Sequence, residues 1–301
     1  MKKAIGIDVG GTKIRGSLIR EDGILVTVRE IPTEANRGGK AVMERIALLI
    51  RELSSEEIIG VGIGATGQVG LHGEILSATE TFPVWAGIHL ERELQERIGL
   101  PVRVVNDVQA MALGERAYGE GKNTRDFLCL ALGTGVGGAI ISQGELVRGS
   151  SGAAGEVGHM LLHPNGRRCP CGNSGCMEAY VSGRALEERY REEHGAVRTG
   201  IQIIREARAG DVAAYSVWEA YLNDLAMGIA SLVTVLNPSK VILGGGVAQS
   251  LGLDLPALEN RVMGRLSHAA ARNFGLVLSG LGDAAMLLGA CSLLFDSQMG
   301  K

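Results

Sequence analysis

The chain has 301 residues, 46% of them hydrophobic and 21% charged, and its formal net charge is −3. This is globular composition on a chain long enough for two domains of ordinary size, and it argues against disorder. A balance so close to neutral supplies no field for recruiting nucleic acid or an anionic membrane, so neither is an expected partner, and any anion must be held locally by backbone amides and a few placed cations.

Glycine is in excess, 45 residues against a usual share of ~7%. The glycines gather at 10–16, 60–70, 133–138, 149–158 and 244–246, mostly beside β-branched runs, a pattern of tight strand turns and close backbone approach rather than of a linker. The start, MKKAIGIDVGG, has no apolar leader core, because Asp8 and the glycines interrupt it. The longest apolar stretch, Leu225 to Leu236, is shorter than the ~20 residues of a membrane span. Five cysteines, three of them between 169 and 176, favour a metal site in a reducing compartment over a disulfide framework. The expected address is the cytoplasm.

Residues 3–9 and 14–20 read as two strands joined at Gly10-Gly11. Ala41, Val42, Ile46, Leu49, Ile50 and Leu53 recur at helical spacing after the Gly38-Gly39 break. Residues 58–67 are a buried strand ending in a glycine turn. Leu90, Leu94 and Ile98 mark a short amphipathic helix stopped by Gly99 and Pro101. Residues 102–107 are a strand carrying Asn106 and Asp107 at its C-terminal end, and a helix runs on to about Tyr118. FLCLALGTGVGGAIIS, 127–142, repeats the strand–glycine turn–strand of the N-terminus and hints at two related halves. Helices follow at 182–193, 201–209 and 211–236, the last ended by Asn237-Pro238. A short buried strand at 240–243 runs into Gly244-Gly245-Gly246, and an apolar helix at 283–296 comes last. Strands alternating with helices make the class α/β. The polar, glycine-bearing YGEGKNTRD places a domain boundary near 118–126.

Three glycine turns carry the candidate chemistry. Asp8-Val9-Gly10-Gly11-Thr12-Lys13 closes a hairpin whose glycines let backbone N–H groups point at phosphate oxygens, with Thr12 and Lys13 as further donors. Asp8 can hold Mg²⁺ through water, since Mg²⁺ keeps much of its hydration shell. The bland reading is a tight hairpin with nothing bound. Gly133-Thr134-Gly135-Val136-Gly137-Gly138 is a second such loop. It lacks the Walker Lys-Ser/Thr pair, and it continues as a strand, unlike a dinucleotide fingerprint. Gly244-Gly245-Gly246 offers a third close approach, suited to a nucleoside lying against backbone. Two of these turns facing one another would clamp a polyphosphate.

His159, Cys169, Cys171 and Cys176 supply one imidazole and three thiolates, the donor set of a closed structural Zn²⁺ site. Pro164, Gly166, Pro170, Gly172 and Gly175 let the loop fold around a metal. A redox motif wants C-x-x-C, and the spacing here is C-x-C. A saturated shell has no open position, so zinc is expected to shape the loop and not to act in the chemistry. Cys129 and Cys291 sit in apolar runs and read as core.

Taken in order, DVGGTK at 8–13, NDVQAMALGE at 106–115, LGTGVGG at 132–138, GAAGEVGHM at 152–160, CPCGNSGCMEA at 169–179 and ILGGGVA at 242–248 resemble the ROK family (repressors, open reading frames and sugar kinases) over nearly the whole chain. The resemblance implies a two-domain actin/hexokinase (ribonuclease H-like) fold with an interdomain cleft that closes on the sugar. The expected division is 1–118 with 284–301 as the smaller domain and 119–283 as the larger one, carrying the zinc loop. It also implies an ATP-dependent kinase that moves the γ-phosphoryl group to the 6-hydroxyl of a hexose, with Mg²⁺, a structural zinc and a homodimeric or homotetrameric assembly. Asp107 resembles the general base, and Asn106 a sugar-hydroxyl ligand beside it. Glu156, His159 and Glu178 match positions that bind ring hydroxyls, so His159 would serve zinc through one ring nitrogen and sugar through the other. The run at 242–248 looks like the family's adenosine motif.

On residues alone, Asp107 is equally a helix cap, and Glu156 and Glu178 are equally surface acids. Family glucokinases generally carry a proline in the turn where this chain has Gly64-Ala65-Thr66-Gly67. That version is more like kinases of N-acetylmannosamine, which leaves the hexose open between glucose and an N-acetylhexosamine. The family's sugar-sensing regulators carry a DNA-binding domain ahead of this core; with the hairpin starting at Ile5, no room for one is expected, and a regulator lacking that domain is the alternative.

Overall fold

A computed structural model of the chain describes residues 1–54, 57–78, 82 and 84–295. The chain divides into two compact units, one comprising Met1–Asn123, Gly144–Ala154 and the chain from Gly280 onward, the other Thr124–Gln143 and Gly155–Ser279.

In the first unit β1 (Lys3–Val9), β2 (Lys13–Arg20) and β3 (Leu25–Pro32) form an antiparallel ladder. Helix α1 (Gly39–Leu53) follows, and its apolar stripe of Val42, Ile46, Leu49, Ile50 and Leu53 is buried on the sheet. β4 (Val61–Ala65) pairs in parallel with β1. A two-stranded hairpin, β5 (Gln68–Val69) with β6 (Ile75–Ser77), comes next. Helix α2 (Leu90–Ile98), stopped as expected by Gly99, leads to β7 (Val102–Asn106), parallel to β4. The sheet order is therefore β3-β2-β1-β4-β7. β3 is an edge strand that the sequence reading passes over, and the strand expected to reach residue 107 stops at Asn106, because Asp107 already opens α3 (Asp107–Tyr118).

The second unit is built on β8 (Phe127–Leu132) and β9 (Val136–Ser142), an antiparallel pair around the glycine loop. The segment leaving β9, with the two-residue strand β10 (Glu145–Leu146), belongs to the first unit. After the cysteine loop come α4 (Glu178–Val181), α5 (Gly183–His194), α6 (Gly200–Arg208) and α7 (Val212–Leu236). β11 (Lys240–Gly244) lies parallel to β8 on one side and to β12 (Gly275–Leu278) on the other. Between them run α8 (Gly246–Ser250), α9 (Leu255–Met263) and the single turn α10 (His268–Ala271). Asp211 caps α7 by accepting from Ala214 N–H at 2.8 Å, and Asn237 ends it in a left-handed conformation before Pro238. Among the described residues α7 is the one helix long and apolar enough to cross a membrane. Its Val217, Trp218, Leu222, Leu225, Ile229 and Val233 are instead buried in the core of the second unit, which is what makes so apolar a helix stable there.

Helix α11 (Ala284–Phe295) returns to the first unit, and Asp296, expected in it, lies outside the described residues. It packs on β1, β4 and α3 at backbone distance. A Cβ on Gly62 would stand 1.8 Å from Ala290 O, and one on Gly289 would stand 1.7 Å from Ala110 O. Only glycine permits those approaches.

Candidate functional site

In the first unit three parallel strands end at one edge. The register sets Val9 beside Ala65 and Ala65 beside Asn106, so Asp8, Thr66, Asn106 and Asp107 collect there. Thr66 N–H donates to Val9 O at 3.0 Å, which ties the two turns together. Thr66 Oγ1 donates to Asp107 Oδ2 at 3.2 Å, and Trp85 Nε1 donates to Thr66 O at 3.0 Å. Buried Trp85 thereby fixes the threonine that touches the candidate base.

The helix cap is Asn106 rather than Asp107. Asn106 Oδ1 accepts from Val108 N–H and Gln109 N–H, and Gln109 Oε1 accepts from Asn106 N–H, a capping box. Asn106 Nδ2 donates to Gly67 O at 2.9 Å and to Asp107 Oδ1 at 2.8 Å. Both lone pairs and both amide hydrogens of Asn106 are thus used inside the chain. Asp107, at the first helical position, also accepts from Val108 N–H at 2.8 Å, where the helix N-terminus favours its negative charge. Gln109 was not singled out from sequence; an Asn with Gln three residues on is the signal that finds it.

Asp8 is pushed up to about 7, first by burial and then by the negative charge of Asp107, with Arg15 opposing and Asp283 adding to the rise. A bound cation near Asp8 would relieve both effects and displace its proton. In the hairpin Gly10 N–H donates to Lys13 O at 3.0 Å, and Thr33 Oγ1 donates to Gly10 O at 2.7 Å. Gly11 and Thr12 form the turn between the strands, and Thr12 O accepts from Thr33 N–H at 2.9 Å. The ammonium of Lys13 pairs with Glu30 on β3 at 2.7 Å, both side chains being well exposed.

In the second unit the ends of β8 and β11 lie side by side, with Gly244 opposite Ala131. Gly245 takes φ +89°, and a Cβ there would meet Leu132 O at 2.5 Å. The loop Gly133-Thr134-Gly135 and the turn at Gly244-Gly245 therefore sit at one sheet edge, with Gly137 on the return strand β9. Glu178 enters the same place, its Oε2 accepting Val136 N–H at 2.9 Å.

His159, Cys169, Cys171 and Cys176 have their ligand atoms within 4.8 Å of one another. Cys171 Sγ is 3.6 Å from Cys176 Sγ, and His159 Nδ1 is 3.8 Å from Cys169 Sγ. Donors around a tetrahedral Zn²⁺ with Zn–S of ~2.3 Å stand ~3.8 Å apart, so the arrangement fits that metal. Burial pushes the Cys169 thiol up to about 12, a proton that metal loading must displace. The other imidazole nitrogen of His159, Nε2, is 4.0 Å from Glu156 Oε2. The two ring nitrogens of one imidazole thus lie nearest different partners.

The sequence pattern of the ROK family matches residues 4–297. The chain belongs to the ROK family. It is 33% identical over 307 aligned positions to the glucokinase of Thermotoga maritima, covering 97% of each chain. It is 29% identical to the xylose repressor of Bacillus subtilis, covering 97% of this chain and 77% of the repressor. Among solved structures it is similar to a ROK family glucokinase from Streptomyces griseus in complex with glucose and AMPPNP, with a TM-score of 0.83, 32% identity and coverage of 97% and 98%. The fold is accordingly the two-domain actin/hexokinase fold of ROK proteins. The ROK motifs at 8–13 and 106–115 lie in the first unit and those at 132–138, 169–179 and 242–248 in the second, while the motif at 152–160 spans their boundary.

Proposed function

We propose that this ROK protein is an ATP-dependent sugar kinase that transfers the γ-phosphoryl group of ATP to the 6-hydroxyl of a hexose, with Asp107 as general base. The observation that carries the reading is the carboxylate of Asp107 at the N-terminus of α3, held by Thr66 and Asn106 and electrostatically coupled to a second half-buried acid, Asp8. Kinase relatives that align end to end support it.

Phosphoryl transfer asks a protein mainly for positioning and charge neutralisation. Asp107 accepts the proton of the attacking hydroxyl, and a carboxylate suffices because that proton is shed as the oxygen bonds to phosphorus. Thr66 and Asn106 fix the carboxylate's rotamer. Asp8 would hold Mg²⁺ through water, the ion neutralising charge on the transferring phosphate. Backbone amides of Gly10, Gly11, Thr12 and the 133–137 loop, with Lys13 released from Glu30, would hold phosphate oxygens, and Gly244-Gly245 would lie against the adenosine. Glu156, His159 and Glu178 would bind ring hydroxyls. Asn106 can join them only by giving up one of its present hydrogen bonds. The closed Cys₃His set would hold zinc as a structural ion that orients His159. A cytoplasmic homodimer or homotetramer acting on glucose or an N-acetylhexosamine such as N-acetylmannosamine completes the reading.

The test is a coupled assay of ADP release over a panel of hexoses, run on the wild type and on Asp107→Asn. The variant is expected to lose about 100-fold or more in kcat while KM for ATP stays within about threefold. Turnover by the variant near the wild-type rate would refute the base. Sugar binding without ADP release by the wild type would favour the regulator reading that the repressor relative supports.

A further inference from the structure

The carboxylate of Glu178 faces two ways. Its Oε2 accepts Val136 N–H at 2.9 Å, and its Oε1 lies 3.9 Å from Cys169 Sγ, one of the metal-ligand candidates. A Cβ on Gly135 would stand 2.6 Å from that same Oε2, so glycine at 135 admits the carboxylate to the loop. Further along the chain, Gly183 N–H donates to Gly133 O at 2.7 Å. The glycine loop is therefore gripped at both ends by the short stretch of chain that leaves the cysteine cluster at Cys176.

The backbone of that stretch has its own anchors on α7. Tyr221 Oη donates to Val181 O at 2.8 Å in the core, and Met177 packs so closely on α7 that a Cβ on Gly228 would meet its Cε at 2.6 Å. With the backbone fixed there, the freedom left to Glu178 is that of its side chain. Cys169 bounds that side chain on one side and the Val136 amide on the other. Where the cluster holds Cys169 decides how squarely the carboxylate meets the loop.

We infer that Glu178 is a positioning residue for the phosphoryl donor, linking the 133–136 loop to the Cys₃His cluster so that the state of the cluster sets nucleotide affinity. This rests on the reading of that loop as a phosphate loop. It goes beyond a hydroxyl-binding role for Glu178, because the effect is on nucleotide and needs no sugar.

The experiment is calorimetric titration of a non-hydrolysable ATP analogue, with Mg²⁺ and without sugar, into wild type, Glu178→Ala and Glu178→Gln, each zinc-loaded and each after chelation. Zinc content and circular dichroism are recorded for every sample. Loss of a charge-assisted hydrogen bond predicts about tenfold weaker binding for Glu178→Ala. Glutamine keeps an acceptor for Val136 N–H and should stay within about threefold of wild type. Chelation should weaken the wild type several-fold and leave Glu178→Ala where it already is. A Gly135→Ala variant, which pushes the carboxylate out of the loop, should bind zinc normally and the analogue poorly. Analogue affinity unchanged by Glu178→Ala, or by chelation of folded wild type, would overturn the inference and leave the kinase reading intact. A wild type that binds no nucleotide in any state would remove both.

Discussion

Replacing Asp8 by asparagine should make the first unit more stable in alkali and almost indifferent to the change in acid. A half-buried carboxyl whose pKa rises from 3.8 to about 7 costs up to about 4 kcal/mol more to ionise than a solvated one. The folded state therefore holds its proton more tightly than the unfolded chain does. The stability this brings is complete below the unfolded value near 4 and is lost as pH climbs through about 7. An amide at this position has no proton to lose, so the variant escapes that loss. At about pH 8 the substitution should gain up to about 4 kcal/mol, and at about pH 4 close to nothing. Urea titrations in magnesium-free buffer at several pH values read this directly. Trp85 lies in the first unit and Trp218 in the second, so a Trp218→Phe background lets fluorescence follow the first unit alone. That background should be mild, since Trp218 Nε1 is buried without a hydrogen-bond partner. Parallel stability curves for the wild type and Asp8→Asn across this range would refute the claim that burial and Asp107 strain the Asp8 charge.

Cys171→Ala should lose bound zinc, read by elemental analysis, together with several kcal/mol of stability in the second unit; a native protein purified without zinc would remove the basis for this. Gly62→Ala drives a methyl into Ala290 O and should lower the unfolding free energy by about 2 kcal/mol or more, measured by the same Trp85 signal. Gln109→Ala breaks the capping box and the 3.0 Å bond from Nε2 to Gly152 O, at a cost of about 2 kcal/mol. Gln109→Glu should cost more at neutral pH, because it buries a charge against a carbonyl; equal midpoints for the two variants would contradict that.

The α/β alternation was legible because the central strands are short apolar runs between glycine turns, and α1 and α7 carry long amphipathic or apolar patterns. β3 was missed although Asp22-Gly23 followed by Ile24-Leu25-Val26-Thr27-Val28 is a turn-and-strand signal; Val26 and Val28 are exposed, so the run marks an edge strand and not core. α8 and α10, of five and four residues, are too short to show a period; α9 is as long as α2 and was passed over although Leu258 and Val262 mark its buried face. At the site, residue types and spacing were enough to single out the Cys₃His set, whose ligand atoms the structure gathers. The division of labour between Asn106 and Asp107 was not legible. Either side chain can cap a helix, and only the observed bonds assign the cap to Asn106 and leave Asp107 as the first helical residue. Nor does anything local in the sequence say that Glu178 reaches Val136, since that contact joins residues far apart in the chain.

The seating of α11 sets an order of events during synthesis. Its backbone lies against Gly6 and Gly62 on strands made before the second unit, and Gly289 fits against Ala110 and Gly114 of α3. While the ribosome is still making residues 124–279, those glycine faces have no cover. The second unit, whose residues all precede α11, can finish folding first. The first unit, although started earlier, has to wait for residues 284–295 to emerge. A nascent chain stalled shortly before that point should therefore present a finished second unit and a protease-sensitive first one.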